Sequence, residues 1–177
     1  EFSLSVLAVI AAAATGSLPV PHLAIARQVA GEGSPMCTTY WPDGRETPCQ
    51  PDFTAKGGGA VNGFSLNGSI VFTQGALRRL TADEFALLAG HEIAHFYLGH
   101  NGSSHANELA ADRLGAQLAC RAGYDAAAGA SLYRFLRADK NHPPAAQRMA
   151  AVQAVPCARA SAAPRLALTE AGPDTSR

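Results

Sequence analysis

The spacing best suited to chemistry in this chain is His91-Glu92-Ile93-Ala94-His95. Four residues apart on an α-helix, two imidazoles share a face and can converge on one divalent ion, the His-Glu-x-x-His pattern of a catalytic zinc helix. Glu92 cannot join them as a ligand. One residue further round the helix, it leans over the open side of the ion, where it can take a proton from an attacking water as general base.

Two neutral rings need a third ligand. The positions three and six residues beyond His95, where a metzincin carries glycine and histidine, hold Leu98 and Asn101. His100 falls about 180° from His91 at 100° per residue, which excludes it as a co-ligand on the same helix. The candidate is Glu108, in the run Asn107-Glu108-Leu109-Ala110-Ala111-Asp112. A reversal over Asn101 to Ser104 would return a second helix antiparallel and bring Glu108 beside the histidines. Asp112, one turn further along, could then accept the free ring N–H of a ligating histidine. Two histidines, one carboxylate and an open position describe a catalytic centre, whereas a structural zinc site is closed and usually built from cysteines.

The elements that must hold these residues are legible in outline. Thr81 and Glu84 form a capping box, apolar Phe85, Leu88 and Ile93 follow, and Gly99 can end the helix. Ahead of it, Asn62 to Leu66 and Ser69 to Thr73 flank Asn67-Gly68, a type I′ turn pair, and read as a β-hairpin. From pattern alone the hairpin is either an ordinary cover for the core or an edge that binds extended peptide by strand addition. After the ligand helix, a third helix is expected over Ala126 to Ala138, carrying Leu132, Phe135 and Leu136 inward and Tyr133 either as core or as an oxyanion donor. Lys140 to Pro144 reads as a loop, and Pro144 as the start of a last helix to about Val155. Read singly, His142 is a surface-loop histidine and Arg148 a surface ion-pair partner.

The remainder bounds the class. The 177 residues, 47% apolar, suffice for one core, and 14 basic against 14 acidic residues with no basic block argue against nucleic-acid binding. Leu4 to Ala14 is an apolar run too short to span a bilayer. It is either the end of a signal sequence or an apolar helix packed on the domain, and it is the one stretch through which membrane association is conceivable. A short helix is expected from Val20 to Ala30, stopped by Gly31, and Met36 to Gly59 is expected to be a loop. Of three possible pairings of the four cysteines, Cys37–Cys49 and Cys120–Cys157 are favoured; the first closes a local loop worth on the order of 3 kcal/mol. Disulfides would place the protein in the periplasm or outside the cell. The expected organisation is an N-terminal region over 1–59, a core over 60–157 and a disordered tail over 158–177.

Together these blocks resemble the gluzincin zinc metallopeptidases related to HtpX and the Oma-type and CAAX-prenyl proteases. The likeness is carried by Val61-Asn62-Gly63-Phe64-Ser65-Leu66, Ile70 to Gly75, the zinc helix, Glu108 to Gly115, Ala122 to Asp125, and His142-Pro143-Pro144 with Arg148. The resemblance implies an α+β fold, a mainly helical metallopeptidase core with a small antiparallel hairpin or sheet beside the zinc helix. It implies one zinc ion per chain on His91, His95 and Glu108, with Glu92 as base. His142 and Arg148 would stabilise the oxyanion and order the site, His142 alternatively closing the zinc as a fourth ligand. It also favours the peptide-binding reading of the hairpin, through Asn62, Ser69, Ile70 and Val71. The membrane-spanning insertions of larger relatives are missing. The implied activity is zinc-dependent endopeptidase action on unfolded or extended polypeptide, and the competing class is a zinc-binding, chaperone-like module that binds peptide without cutting it.

Overall fold

The computed structural model of the chain describes residues 16–66, 68–157 and 166–168. Its elements run β1 (Gly16–Ser17), α1 (Val20–Ala30), β2 (Ser34–Tyr40), β3 (Glu46–Cys49), β4 (Asp52–Lys56), β5 (Gly63–Leu66), β6 (Ser69–Thr73), α2 (Gln74–Arg79), α3 (Ala82–Tyr97), α4 (His105–Arg121), α5 (Ala126–Gly129), a 3₁₀ segment (Ala130–Phe135) and α6 (Ala145–Gln153). The fold is α+β, with helices around a small mixed sheet ordered β1-β4-β6-β5 and a separate antiparallel pair, β2-β3.

α3 is the centre of the molecule. Its first turn carries the expected capping box, with Glu84 N–H donating to Thr81 Oγ1 at 3.3 Å and Thr81 N–H to Glu84 Oε2 at 2.9 Å. From Glu84 to Ala94 every residue is buried. A helix without a solvent face must be covered on all sides, and α1, α4, α5, β2 and β5 all pack on it. Phe85 meets Phe72 of β6 at 4.9 Å between ring centroids, and both are fully buried with Leu87, Ile25 and Val29. Each such side chain contributes about 1.5–3 kcal/mol relative to exposure.

The crossing of α3 with α4 is closer than ordinary side chains permit. A Cβ on Gly90 would lie 2.5 Å from the Gly115 carbonyl oxygen, and one on Gly115 would lie 2.6 Å from His91 N. Two glycines facing one another let the backbones touch, and so set the distance from which Glu108 and Asp112 reach the histidines.

Several expectations are corrected. Met36 to Gly59 is not a loop but carries most of β2, together with β3 and β4. β2 and β3 expose most of their side chains and so lack an alternating apolar pattern, and the Cys37–Cys49 disulfide (Cα–Cα 5.3 Å) ties them instead. Nor does the chain divide at residue 59. β4 pairs in parallel with β6 from Asp52↔Ser69 to Lys56↔Thr73, and α1 buries Ile25, Ala26 and Val29 in the same core. The helix expected over Ala126 to Ala138 stops at Gly129 and tightens into 3₁₀ turns. Gly129 lies flat against the Asp83 carbonyl, and the Ser131 hydroxyl is drawn to Glu84.

Other readings agree with the structure: α1 spans Val20–Ala30, the hairpin β5-β6 is antiparallel with Gly68 at φ +83°, and Cys120–Cys157 (Cα–Cα 5.4 Å) ties the end of α4 to the segment after α6. The apolar run Leu4 to Ala14, Asn67 of the turn and most of the tail lie outside the described residues; within 166–168, Leu168 packs on the core.

Candidate metal centre

The C-terminal half of α3 and the first turns of α4 bring three donor atoms into one small triangle. His91 Nε2 and His95 Nε2 are 3.0 Å apart, His91 Nε2 and Glu108 Oε2 3.2 Å, and His95 Nε2 and Glu108 Oε1 3.4 Å. Among the described residues these form the one cluster of histidine, cysteine or acidic donors suited to a metal.

The dimensions and the chemistry both fit zinc. Bonds of about 2.0–2.1 Å in tetrahedral geometry set ligand atoms roughly 3.3 Å from each other, and two imidazoles with one carboxylate select a transition-metal ion over calcium or magnesium. Charge agrees. Glu92, Glu108 and Asp112 are buried with a single guanidinium, Arg148, and buried charge left without compensation is costly. With both rings neutral, as ligands must be, a divalent cation would supply the two positive charges these groups lack.

Behind the triangle the support is built into the core. His91 Nδ1 lies 2.8 Å from Asp112 Oδ1, so the carboxylate accepts a hydrogen bond from that ring N–H and turns Nε2 towards the cluster. Arg148, from α6, grips Asp112 with two donors, Nε to Oδ2 at 2.8 Å and Nη2 to Oδ1 at 2.7 Å, and Tyr133 donates its hydroxyl to Oδ1 at 2.7 Å. Nη2 also lies 3.5 Å from Glu108 Oε2. Burial opposes charge on the His91 ring, but Asp112 and then Glu108 overcome it and raise the metal-free imidazole to about 9. Glu108 moves the other way: burial would raise it, and hydrogen bonds from His91, His95 and Ser103 pull it far below the carboxylate range.

Glu92 is not one of the three donors but lines the same cleft as they do. Burial raises its carboxyl, the Glu108 charge adds to the rise, and His91, His95 and Arg148 oppose it. A Cβ on Gly63 would come within 3.0 Å of Glu92 Cγ, so the start of β5 lies directly against the acid. Around this point opens a cleft of about 530 Å³, lined by β5, by apolar Leu88, Leu132, Phe135 and Leu136, by polar Asp139 and His142, and deeper in by buried Arg148.

Not every expected site residue stands where the sequence put it. Arg148 is no surface residue; it is buried behind Asp112. His142 lines the cleft but lies outside the donor cluster, with its Nδ1 2.9 Å from Asp139, whose carboxyl is held at about 2 chiefly by that ring and by the Asn141 and His142 backbone N–H groups. Tyr133 is buried in the core, as its helical spacing suggested, and also borders the cleft. Its hydroxyl belongs to Asp112, and burial followed by the Asp112 charge pushes its pKa up.

The peptide-binding edge also moves. β6 is paired on both sides, by β4 and β5, and Ile70 and Val71 are buried, so Ser69, Ile70 and Val71 cannot accept an added strand. The outer strand beside Glu92 is β5, reached through exposed Asn62.

His100 is not one of the three donors, in keeping with its exclusion as a co-ligand, but its ring stands beside them. α3 ends at Tyr97, Gly99 takes φ +63°, and His100 N–H folds back onto the His95 carbonyl at 3.1 Å, which places the ring Nδ1 2.9 Å from His95 Nδ1. The 100° rule fails there because the helix has already stopped.

Residues 53–106 match the family model of peptidase family M48. The match covers β4 to the start of α4, including His91, Glu92, His95 and His100, and ends just before Glu108. No curated protein matches the chain. The matched segment suggests a metal-dependent peptidase, and the triangle offers the donors such an activity needs.

Proposed function

We propose that the protein is a zinc-dependent endopeptidase that hydrolyses peptide bonds in unfolded or extended polypeptide. The observation that carries this is the His91–His95–Glu108 triangle opening on a cleft that a fourth group, the acid Glu92, also lines without being one of the donors. A closed structural site would leave neither the gap nor the acid.

His91, His95 and Glu108 would hold the ion, which when bound supplies Lewis acidity and makes a water nucleophilic near neutral pH. Glu92 takes the proton of the attacking water and passes it to the departing amine. The substrate backbone lies along the outer edge of β5, where main-chain hydrogen bonds hold an extended chain with little regard to sequence. Asp112 and Arg148 keep His91 oriented, and His142 at the rim can donate to the developing oxyanion. The finer resemblance to HtpX, Oma-type and CAAX-prenyl proteases fits this reading. The two disulfides fit an oxidising compartment, periplasmic or extracellular. Among the described residues no helix is long and apolar enough to cross a membrane.

The test is metal content measured together with cleavage of an unfolded protein such as casein. One zinc per chain with cleavage abolished by chelation and restored by zinc is expected. Tight zinc binding with peptide capture but no cleavage would replace the enzyme by a peptide-binding module.

A further inference from the structure

The two histidines of the triangle are held from behind by different chemistry. His91 leans on a carboxylate, Asp112, but His95 leans on another imidazole, with Nδ1 of His95 and Nδ1 of His100 2.9 Å apart. Two ring nitrogens at that distance share one proton, and which ring owns it decides what the opposite nitrogen can do. If His95 is to offer an unprotonated Nε2 to a cation, its proton must sit on Nδ1. His100 must then accept at Nδ1 and carry its own proton on Nε2.

We propose that His100 is a positioning residue for the metal centre, fixing the tautomer and ring angle of His95 through an Nδ1–H to Nδ1 hydrogen bond. The inference rests on the metallopeptidase reading above. The fold delivers His100 to this place by its backbone. Gly99 N–H donates to the Phe96 carbonyl at 3.3 Å and His100 N–H to the His95 carbonyl at 3.1 Å, the paired bonds of a Schellman ending, with Gly99 in the left-handed conformation that the motif requires. The same residue, His95, is thus gripped twice by His100, once at its carbonyl and once at its ring. The ring edges meet at 68° with centroids 5.0 Å apart, so the contact is made through the nitrogens rather than by stacking. His100 is half-buried and lines the cleft, and a neutral acceptor there adds no charge to a pocket that already holds three carboxylates.

Zinc affinity, measured by competition with a chromogenic chelator, tests this without reference to turnover. His100→Ala should weaken zinc binding about 10–100-fold, the usual cost of losing such an outer partner, while the melting temperature of the metal-free protein stays within a few degrees. His100→Asn, whose amide oxygen can occupy the place of Nδ1, should recover most of the affinity. Nitrogen-15 spectra of the zinc-loaded, unsubstituted protein should show His95 protonated on Nδ1 and His100 unprotonated there. Unchanged affinity in His100→Ala, an Asn variant as weak as the Ala variant, or zinc bound to either nitrogen of His100 would overturn the proposal. Failure of the unsubstituted protein to bind zinc, with His91→Ala no different, would instead refute the metal site itself.

Discussion

Glu84 and Glu92 stand on one helix, both buried, and the fold drives their acidities in opposite directions. Burial alone would raise each. At Glu84 that rise is overcome by Arg134, by the Ser131 hydroxyl and by the Thr81 backbone N–H, so the carboxyl is held below its ordinary range. At Glu92, burial is reinforced by Glu108, and its side chain faces Gly63 and the open cleft. One end of α3 uses a glutamate to close a cap; the other leaves a glutamate at the cleft, where the proposed reaction needs a proton carrier. Donors close at hand, rather than residue type or depth, separate the structural acid from the chemical one.

The comparison can be broken by exchanging the two roles. Glu92→Gln should lower peptide-bond hydrolysis at least ~10³-fold while the bound zinc is retained, because Glu92 is not one of the three donors. Glu84→Gln should do the reverse, costing about 2 kcal/mol in urea unfolding and leaving the turnover of the folded fraction unchanged. A Glu84 variant that folds normally but loses turnover, or a Glu92 variant as active as its parent, would erase the distinction.

A smaller effect is expected from Gly63→Ala. The added Cβ would stand 3.0 Å from Glu92 Cγ and 3.3 Å from its Oε1, so the base must shift, and turnover should fall about tenfold at nearly unchanged zinc affinity.

The pH dependence of unfolding sharpens the same contrast. Glu84 has a folded pKa below its unfolded value near ~4.3, so its stabilisation is full above that value and is lost as pH falls towards the folded pKa. His22, packed edge-on to Phe85, is also lowered: burial disfavours its charged form, and the Leu77 backbone offsets this only in part. Its contribution is therefore full above ~6.5 and is lost as pH falls from there to its folded pKa. Urea titrations of the metal-free protein should lose stability in two stages. His22→Leu should flatten the upper stage, and Glu84→Gln should shrink the lower one, to which the lowered carboxyls of Glu108, Asp112 and Asp139 also contribute. The smallest change should be Gly99→Ala, which places a side chain at φ +63° in open space and should cost about 1 kcal/mol.

What could be read in the sequence was what local spacing dictates. The capping box at Thr81 and Glu84, the i, i+4 histidines, the Gly68 turn and the proline before α6 are settled within a few residues by backbone geometry, and the structure repeats them. The strands of the 34–56 region were hidden because β2 and β3 bury little and are tied by a disulfide, so no alternating pattern marks them. The true edge strand was hidden too. Two strands of a hairpin look alike in sequence, and which one is outermost depends on β4 arriving beside β6.

By itself, the sequence determined that His91 and His95 share one face of a capped helix, because helical periodicity fixes which neighbours lie together. Tertiary packing alone decided that Gly90 and Gly115 would let two helices touch, that Arg148 would be buried behind Asp112, and that His100 would turn back onto His95. Those contacts join residues through the close fit of surfaces and the reversal after a helix end, and no fixed interval along the chain encodes either.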